Sequence, residues 1–342
     1  MDSHSGAAAQ DEVARLKAGE PPADLWMRAA SKRVDVSDGR ADALKKNSFQ
    51  MTGDKADEES WVKMAQNRAH MRGAGFTDAD FTKPIVTVAV PYSNALECNN
   101  TLLDLARVVV EEVEKAGGIG FYCMAPVISD GNTQGTKGMR YSLISRDWIA
   151  DCVEIMHEGY MADACISFGA CDKTVPGAVM PLARCDTSGC FIYGGPLVPG
   201  FCDPPLRADA PSQYHRGLDA GSVVEASGSF SAGLIDLEEL HRIECDAMPR
   251  SGTCSGMFTA NTMASIAEAL GMSLPGQSSH VAVTEDNVPT EAKRQDCANA
   301  VAATFAMLRA GVTARDIMTK EAFENAVTVQ VRCPAPSTSA VG

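Results

Sequence analysis

Residues 84–128 read PIVTVAVPYSNALECNNTLLDLARVVVEEVEKAGGIGFYCMAPVI, in which two short apolar runs enclose a longer amphipathic segment. Both runs favour β-strands, and the first is rich in β-branched residues. The segment between them predicts a helix, with Asn99 or Asn100 as its cap and Gly117 and Gly118 at its end. A strand, a helix and a second strand in this order are typical of a parallel sheet with crossover helices.

The same alternation continues along the chain. The sequence predicts a helix around residues 145–159, a strand at 164–169, a helix through 177–185 and a strand at 190–195. We therefore predict an α/β fold, namely a parallel β-sheet flanked by helices. In such sheets, ligands bind beyond the carboxyl ends of the strands.

The sequence pattern changes near residue 81. Residues 1–80 are polar and charge-rich, with weak helical stretches, so we predict a partly helical polar N-terminal extension followed by an α/β domain over residues 81–342. After the last predicted strand the pattern is helical. It predicts a capping box at Asp236 and Glu239, a long helix that starts at Cys254, a helix over about 291–309 and one that Thr319 caps.

Composition limits the classes of protein to which the chain can belong. Its 342 residues are 45% hydrophobic and 22% charged, which is enough to bury a substantial core. A net charge of −14 without a basic stripe argues against nucleic acid as a partner, whereas small anions stay open because helix N-termini bind them. No run approaches the ~20 apolar residues of a membrane span, so no membrane partner is expected.

The first residues include Asp2, Asp11 and Glu12 and lack the apolar region of a secretory signal. We predict a cytoplasmic protein, or an organellar one if the organism is eukaryotic. The twelve cysteines are then expected to be reduced thiols or metal ligands. Four of them lie in apolar patterns and are predicted to be ordinary core residues: Cys123, Cys152, Cys165 and Cys190.

Three other cysteines lie in turns beside glycine or polar residues: Cys98, Cys171 and Cys254. For any one of them alone, a buried structural thiol is the favoured interpretation. Two of them are predicted to open onto a helix, whose dipole favours the thiolate. Their wide spacing disfavours a zinc knuckle, so an iron–sulfur cluster held from separate loops is the better hypothesis.

Hard oxygen ligands accompany the soft thiols. Asp172 and Lys173 directly follow Cys171, and Asp130 lies in a Ser-Asp-Gly turn at the end of a predicted strand. A role in the turn is a sufficient explanation for Asp130 alone. Asp172 and Lys173 can likewise be interpreted as a solvated ion pair. If they face one cleft, carboxylates beside thiolates indicate magnesium or a similar ion next to iron.

Four longer stretches carry a family resemblance: SDGNTQGTKGMRYSLISRDWIADCVEIM (129–156), GACDKTVPGAVM (169–180), IYGGPLVPG (192–200) and SGTCSGMFTANTMASIAEALGMSLPG (251–276). Together they resemble the amino-terminal domain of the dihydroxyacid dehydratase and phosphogluconate dehydratase family, from about residue 84 to about 330. The first stretch resembles the dihydroxyacid dehydratase branch. CDKT and GGP resemble its sugar-acid relatives.

The resemblance implies an iron–sulfur cluster, either 2Fe–2S or 4Fe–4S, on Cys98, Cys171 and Cys254. It also implies a Mg²⁺ site formed by Asp130, Asp172 and a Lys173 that is carbamylated in family members. The implied enzyme is a hydro-lyase that dehydrates a 2,3-dihydroxy carboxylic acid to a 2-oxo acid in valine and isoleucine biosynthesis, and that forms a homodimer in its full-length form. Two alternatives stay open: a sugar-acid or phosphogluconate dehydratase, and a non-catalytic metal-binding remnant or interaction module.

The sequence departs from the family pattern in two places. Glu97 precedes Cys98 where the family usually has proline. Full-length relatives continue with a β-barrel-like carboxy-terminal domain that supplies a further glutamate and the serine thought to be the base. We expect this chain to be a fragment or truncated form that lacks that domain, so no catalytic residue is assigned in it and the chain alone is expected to be inactive.

Overall fold

The computed structural model describes residues 47–203, 205–206, 209–215 and 217–332. In this part of the chain, four parallel strands form one sheet in the order β2-β1-β3-β4. The strands are β1 (Ile85–Pro91), β2 (Ile119–Ala125), β3 (Ala164–Gly169) and β4 (Ser188–Tyr193). The predicted α/β class with a parallel sheet is confirmed.

Helices connect and cover the strands. Those up to the last strand are α1 (Phe49–Thr52), α2 (Glu58–Lys63), α3 (Ala65–Gly73), α4 (Leu102–Lys115), α5 (Asp130–Thr133), α6 (Met139–Gly159) and α7 (Thr174–Cys185). After β4 come α8 (Ala220–Ser231), α9 (Leu237–Asp246), α10 (Thr259–Ala269), α11 (Glu291–Ala310), α12 (Ala314–Ile317) and α13 (Lys320–Arg332). Short 3₁₀ turns occur at Asp80–Thr82, Ser212–His215 and Gln277–Ser279.

Both faces of the sheet are covered. Alternate residues of a strand point to opposite faces, and in β2 Gly120 packs on Val110 of α4 whereas the Cys123 thiol contacts Cys152 O of α6 at 3.5 Å. Helix α11 packs beside α4, and α7 beside α6. Strands β1, β3 and β4 are buried along their whole length, as expected for a parallel sheet between two helical layers.

The strand order determines where loops can meet. β1 continues through α4 to β2 on one side, whereas β3 continues through α7 to β4 on the other. The chain direction across the sheet therefore reverses between β1 and β3, and the loops after these two strands diverge and leave a crevice. Open α/β sheets bind their ligands at such a point.

Two predicted helix starts are wrong. α4 begins after Thr101, because Asn99 is buried and donates its side-chain amide to Pro91 O at 2.6 Å, so it fixes the strand end instead of capping the helix. The helix predicted to start at Cys254 begins at Thr259, so the helix-dipole argument does not apply to this thiol. The capping box at Asp236 is confirmed, as is the cap at Thr319, whose hydroxyl accepts from Ala322 N.

The segment before β1 packs against the start of the sheet. Asp163, which precedes β3, is buried and accepts hydrogen bonds from Ile85 N (2.8 Å), Ser48 N (3.1 Å) and the Ser48 hydroxyl (2.6 Å). Nearby, the Arg68 guanidinium lies 3.6 Å from the centre of the Trp61 ring. Residues 1–46 of the predicted extension lie outside the described residues, and the domain boundary at 80/81 stays a prediction.

A second, smaller hydrophobic core lies under α8 and α9 and includes Tyr214, Leu218 and Ile243. The long helices α6 and α11 belong to the main core. Within the described ranges, none of the helices combines the length and the apolar composition that crossing a membrane requires.

Candidate metal centre

The three cysteines singled out in the sequence lie in three different loops. Cys98 follows β1 and Cys171 follows β3, so these two flank the crevice where the strand order reverses. Cys254 lies in the loop before α10. Cys98 and Cys171 are buried, and Cys254 is partly exposed.

Hydrogen bonds join these loops at the residues next to each cysteine. Gly252 N donates to Glu97 O at 3.0 Å, which ties the loop of Cys254 to that of Cys98. The Thr253 hydroxyl donates to Ala170 O at 2.5 Å, and Thr253 N donates to Gly195 O at 2.9 Å. The residue before each cysteine therefore takes part in an inter-loop bond, which holds the three backbones in register.

The thiols contact one another through Cys98. Hydrogen bonding with Cys171 and with Cys254, together with burial, raises the pKa of Cys98 well above its usual value. The same contact with Cys98 lowers the pKa of Cys254. Glu97 Oε1 lies 3.4 Å from the Cys98 sulfur, so the family departure at this position places a carboxylate directly on the thiol.

The turn that carries Cys171 is built from local groups. The Thr174 hydroxyl accepts from Ala170 N at 3.0 Å and from Cys171 N at 2.8 Å, immediately before α7 begins. Gly169 ends β3, and a Cβ at this position would lie 2.8 Å from Thr174 O and 2.9 Å from Val175 Cα. Glycine is thus required for the chain to turn sharply from the strand into the helix.

A buried tyrosine supports the loop of Cys254, and sequence reasoning missed it. The Tyr193 hydroxyl donates to Asn261 Oδ1 at 2.6 Å, and the Asn261 amide donates at 2.6 Å to both Cys254 O and Gly256 O. Burial raises the pKa of Tyr193 well above its usual range, and the three neighbouring thiols raise it further. Its place at the end of β4, where ligands bind in such sheets, was the only signal in the sequence.

The acidic pair and the lysine also meet. Lys173 Nζ donates to Asp130 Oδ2 at 2.7 Å and contacts Asp172 Oδ2. Burial opposes the charged forms, but hydrogen bonds within the trio outweigh it, so the pKa of Asp172 is lowered and that of Lys173 is raised. Ser142 of α6 donates to Asp130 Oδ1, and Thr259 of α10 bonds to Asp172. Neither Ser142 nor Thr259 was predicted, because no local pattern marks them.

The donor set fits two kinds of metal. Among the described residues, no three His, Cys, Asp or Glu side chains surround a common point as the ligands of a bound ion do. Three neighbouring thiols nevertheless suit an iron–sulfur cluster, and two carboxylates suit Mg²⁺, with the lysine as an oxygen donor only when carbamylated. Two residues that follow these cysteines in the sequence, Asn100 and Ser255, each have a buried side-chain oxygen without a hydrogen-bond partner in the described part of the chain: Asn100 Oδ1 and Ser255 Oγ. The ligand assignments stay predictions.

Comparison with known proteins gives consistent matches. Residues 83–341 match the family model described as dihydroxy-acid/6-phosphogluconate dehydratase, N-terminal. Dihydroxy-acid dehydratase 2 of Staphylococcus saprophyticus is 42% identical over 280 residues, which cover 82% of this chain and 46% of the relative. The dihydroxy-acid dehydratase of Sulfolobus acidocaldarius is 44% identical over 265 residues, 78% of this chain and 44% of the relative. The chain thus spans about half the length of the curated relatives it matches.

Proposed function

Because this chain belongs to the dihydroxy-acid/6-phosphogluconate dehydratase family and matches its N-terminal domain, we propose that it forms the metal-binding part of a dihydroxy-acid dehydratase. The proposed reaction removes water from a 2,3-dihydroxy carboxylic acid and yields a 2-oxo acid, as in valine and isoleucine biosynthesis. Cys98, Cys171 and Cys254 are the proposed ligands of an iron–sulfur cluster. Asp130, Asp172 and Lys173 are the proposed magnesium ligands.

One observation carries the proposal. Cys171, Asp172 and Lys173 are consecutive in one turn at the reversal point of the sheet, and two of them contact a group from another loop: the thiol of Cys171 meets Cys98, and Lys173 meets Asp130. A soft donor set and a hard donor set are therefore adjacent at the place where α/β sheets bind ligands. Neither a structural zinc site nor a surface ion pair accounts for both sets.

The bound metals would supply Lewis-acid activation of a substrate hydroxyl and carboxylate. Side chains of this chain hold the carboxylates of Asp130 and Asp172 in place. Ser142 donates to one oxygen of Asp130 and Lys173 to the other, so both oxygens of this carboxylate have partners. Thr259 and Lys173 restrain Asp172 in the same way. These contacts orient the carboxylates toward one another before any ligand binds, which lowers the ordering cost of binding.

The experiment is a titration of the anaerobically reconstituted, Mg²⁺-supplied chain with 2,3-dihydroxy-3-methylbutanoate. Its readout is the visible absorption of the cluster. We expect a saturable spectral change with the dihydroxy acid and none with 3-methylbutanoate, which lacks both hydroxyls. A larger response to gluconate would favour the sugar-acid alternative. Equal responses to all three acids would contradict the proposed recognition.

Matched variants separate the magnesium site from general damage. Asp172→Asn should keep the cluster spectrum but lose the response to the dihydroxy acid, because a hard ligand is removed. Asp104→Asn, the same substitution on an exposed residue that pairs with Arg107, should leave the response unchanged. An unchanged response in Asp172→Asn would remove this carboxylate from the site.

A further inference from the structure

Glu97 places a carboxylate at the metal centre. Its backbone is fixed, because Glu97 O accepts a hydrogen bond from Gly252 N at 3.0 Å and its neighbours Leu96 and Cys98 are buried. Its side chain is partly buried and reaches the thiols, with Glu97 Oε1 3.4 Å from Cys98 Sγ. The charge of this side chain acts on Cys254 as well as on Cys98. The carboxylate therefore lies beside two of the three proposed cluster ligands.

The Glu97 carboxylate forms no ion pair in the described part of the chain, where its side-chain hydrogen bond is the one to the thiol. Two cations of the neighbouring loops are engaged elsewhere, Lys173 with Asp130 and Arg250 with Glu285. When the three cysteines ionise to bind metal, this carboxylate adds a fourth negative charge. Like charges at such short distances repel unless a cation lies among them. A metal ion that binds the carboxylate as well as the thiolates removes this repulsion.

The spacing of the oxygen and the sulfur suits two ligands of one metal ion. A tetrahedral metal with bonds of about 2.3 Å to sulfur and about 2.0 Å to a carboxylate oxygen, as at zinc, holds these two atoms about 3.5 Å apart. Tetrahedral geometry is also that of the iron in iron–sulfur clusters. The observed distance between Glu97 Oε1 and Cys98 Sγ is 3.4 Å. One iron can therefore contact both atoms with almost no movement of either side chain.

We propose that Glu97 is a fourth protein ligand of the iron–sulfur cluster and binds the same iron as Cys98. Clusters commonly have four protein ligands, so three cysteines leave one position that Glu97 fills. Two protein ligands on one iron is the arrangement of a 2Fe–2S cluster, which the proposal therefore selects over 4Fe–4S. The inference rests on the proposed function in one respect, namely that a cluster binds to Cys98, Cys171 and Cys254.

Ligation by Glu97 has a measurable consequence, because it blocks the cluster position that three cysteines leave free. A small molecule, whether a dihydroxy acid or another ligand, binds this iron only in the fraction of molecules whose carboxylate has left it. If the carboxylate is bound in about 90% of the molecules, the apparent dissociation constant of a competing ligand is about 10-fold higher than at an open iron. Removing the carboxylate should therefore tighten the binding of an added ligand.

Titration of the anaerobically reconstituted chain with imidazole, a ligand that suits iron, tests the blocked position. The readout is the visible absorption of the cluster. We expect Glu97→Ala to bind imidazole with a dissociation constant at least ~10-fold below that of the parent chain. The control is Glu114→Ala, which removes an exposed carboxylate from α4 and should bind imidazole as the parent does. Equal dissociation constants in Glu97→Ala and the parent, both with a full cluster, would overturn the proposal.

A second variant separates ligation from charge. Glu97→Asp keeps the negative charge but withdraws the carboxylate by one carbon–carbon bond, about 1.5 Å. We expect it to bind imidazole more tightly than the parent, as Glu97→Ala does. Binding as weak as in the parent would show that charge alone is responsible, and it would overturn the assignment of Glu97 as a ligand.

Iron analysis of the same preparations separates this inference from the proposed function. We expect two irons for each chain in the parent protein, and four would contradict an iron shared by Glu97 and Cys98. Protein without iron would contradict the proposed function, and the ligand assignment with it. A complete cluster whose imidazole binding does not depend on residue 97 would leave the proposed function intact and overturn only the role of Glu97.

Discussion

Replacing Tyr193 by phenylalanine should loosen the loop that carries Cys254. The Tyr193 hydroxyl donates at 2.6 Å to Asn261 Oδ1, and Asn261 in turn holds Cys254 O and Gly256 O. Phenylalanine keeps the ring but leaves a buried acceptor without its donor, which costs about 1–3 kcal/mol. We therefore expect the free energy of unfolding to fall by about 2 kcal/mol.

The local consequence is measurable at the thiol itself. If the lost bond eases opening of the loop by about 2 kcal/mol, alkylation of Cys254 should be roughly 30-fold faster. Iodoacetamide labelling followed by peptide mass spectrometry gives this rate for Cys254 separately from the other cysteines. Urea unfolding of the same preparation gives the change in the free energy of unfolding.

Tyr214→Phe is the matched control. Its hydroxyl is also buried and lies 2.9 Å from Ser229 Oγ, but it belongs to the smaller core under α8 and α9. We expect a comparable loss of global stability without faster alkylation of Cys254. Equal labelling rates in Tyr193→Phe and the parent chain would refute the role assigned to the Tyr193–Asn261 pair.

Three other outcomes follow from individual residues. Burial lowers the pKa of His157 from 6.5 to about 4, so as the pH falls the unfolded chain binds a proton before the folded chain does, and up to about 3 kcal/mol of stability is lost between these pH values. In urea unfolding, His157→Gln should therefore lose less stability than the parent chain between about pH 7 and about pH 4.5. An equal loss in the two proteins would contradict this. Gly169→Ala should lower the free energy of unfolding, measured in urea, by about 1–3 kcal/mol, because the added Cβ would lie 2.8 Å from Thr174 O. In the control Gly73→Ala the added Cβ has no neighbour within 4 Å, so stability should not change. Equal effects of the two substitutions would argue against the tight turn. Ser142→Ala should weaken Mn²⁺ or Mg²⁺ binding in calorimetry by about 10–100-fold, because Asp130 loses a supporting hydrogen bond. Unchanged affinity would contradict the supporting role of Ser142.

The order of strands and helices could be predicted from the sequence because buried strands require continuous apolar runs, which are visible in the local composition. β3 begins and ends where its apolar run does, and β1 extends only one residue beyond the predicted run, since both strands are buried on both faces. Helix starts were less predictable where a side chain has a distant partner. Asn99 resembles a cap in sequence, but its amide bonds back to Pro91 O.

The residues of the candidate site could also be predicted only in part. Cys98, Cys171 and Asp130 could be grouped from the sequence because each follows a strand of one parallel sheet. Cys254 could not be placed this way, because its loop is positioned by bonds from Gly252 and Thr253 to loops far away in sequence. The supporting residues found only in the structure are Ser142, Tyr193, Thr259 and Asn261, whose roles depend on tertiary neighbours.

The central claim is that Cys98, Cys171 and Cys254 hold one iron–sulfur cluster, and the iron and sulfide content of anaerobically prepared protein tests it most directly. We expect bound iron and sulfide with visible absorption, which Cys98→Ser, Cys171→Ser and Cys254→Ser each abolish. Cys297→Ala, which removes another buried thiol, should retain both. Protein that binds no iron under these conditions, or a full cluster spectrum in Cys171→Ser, would contradict the account.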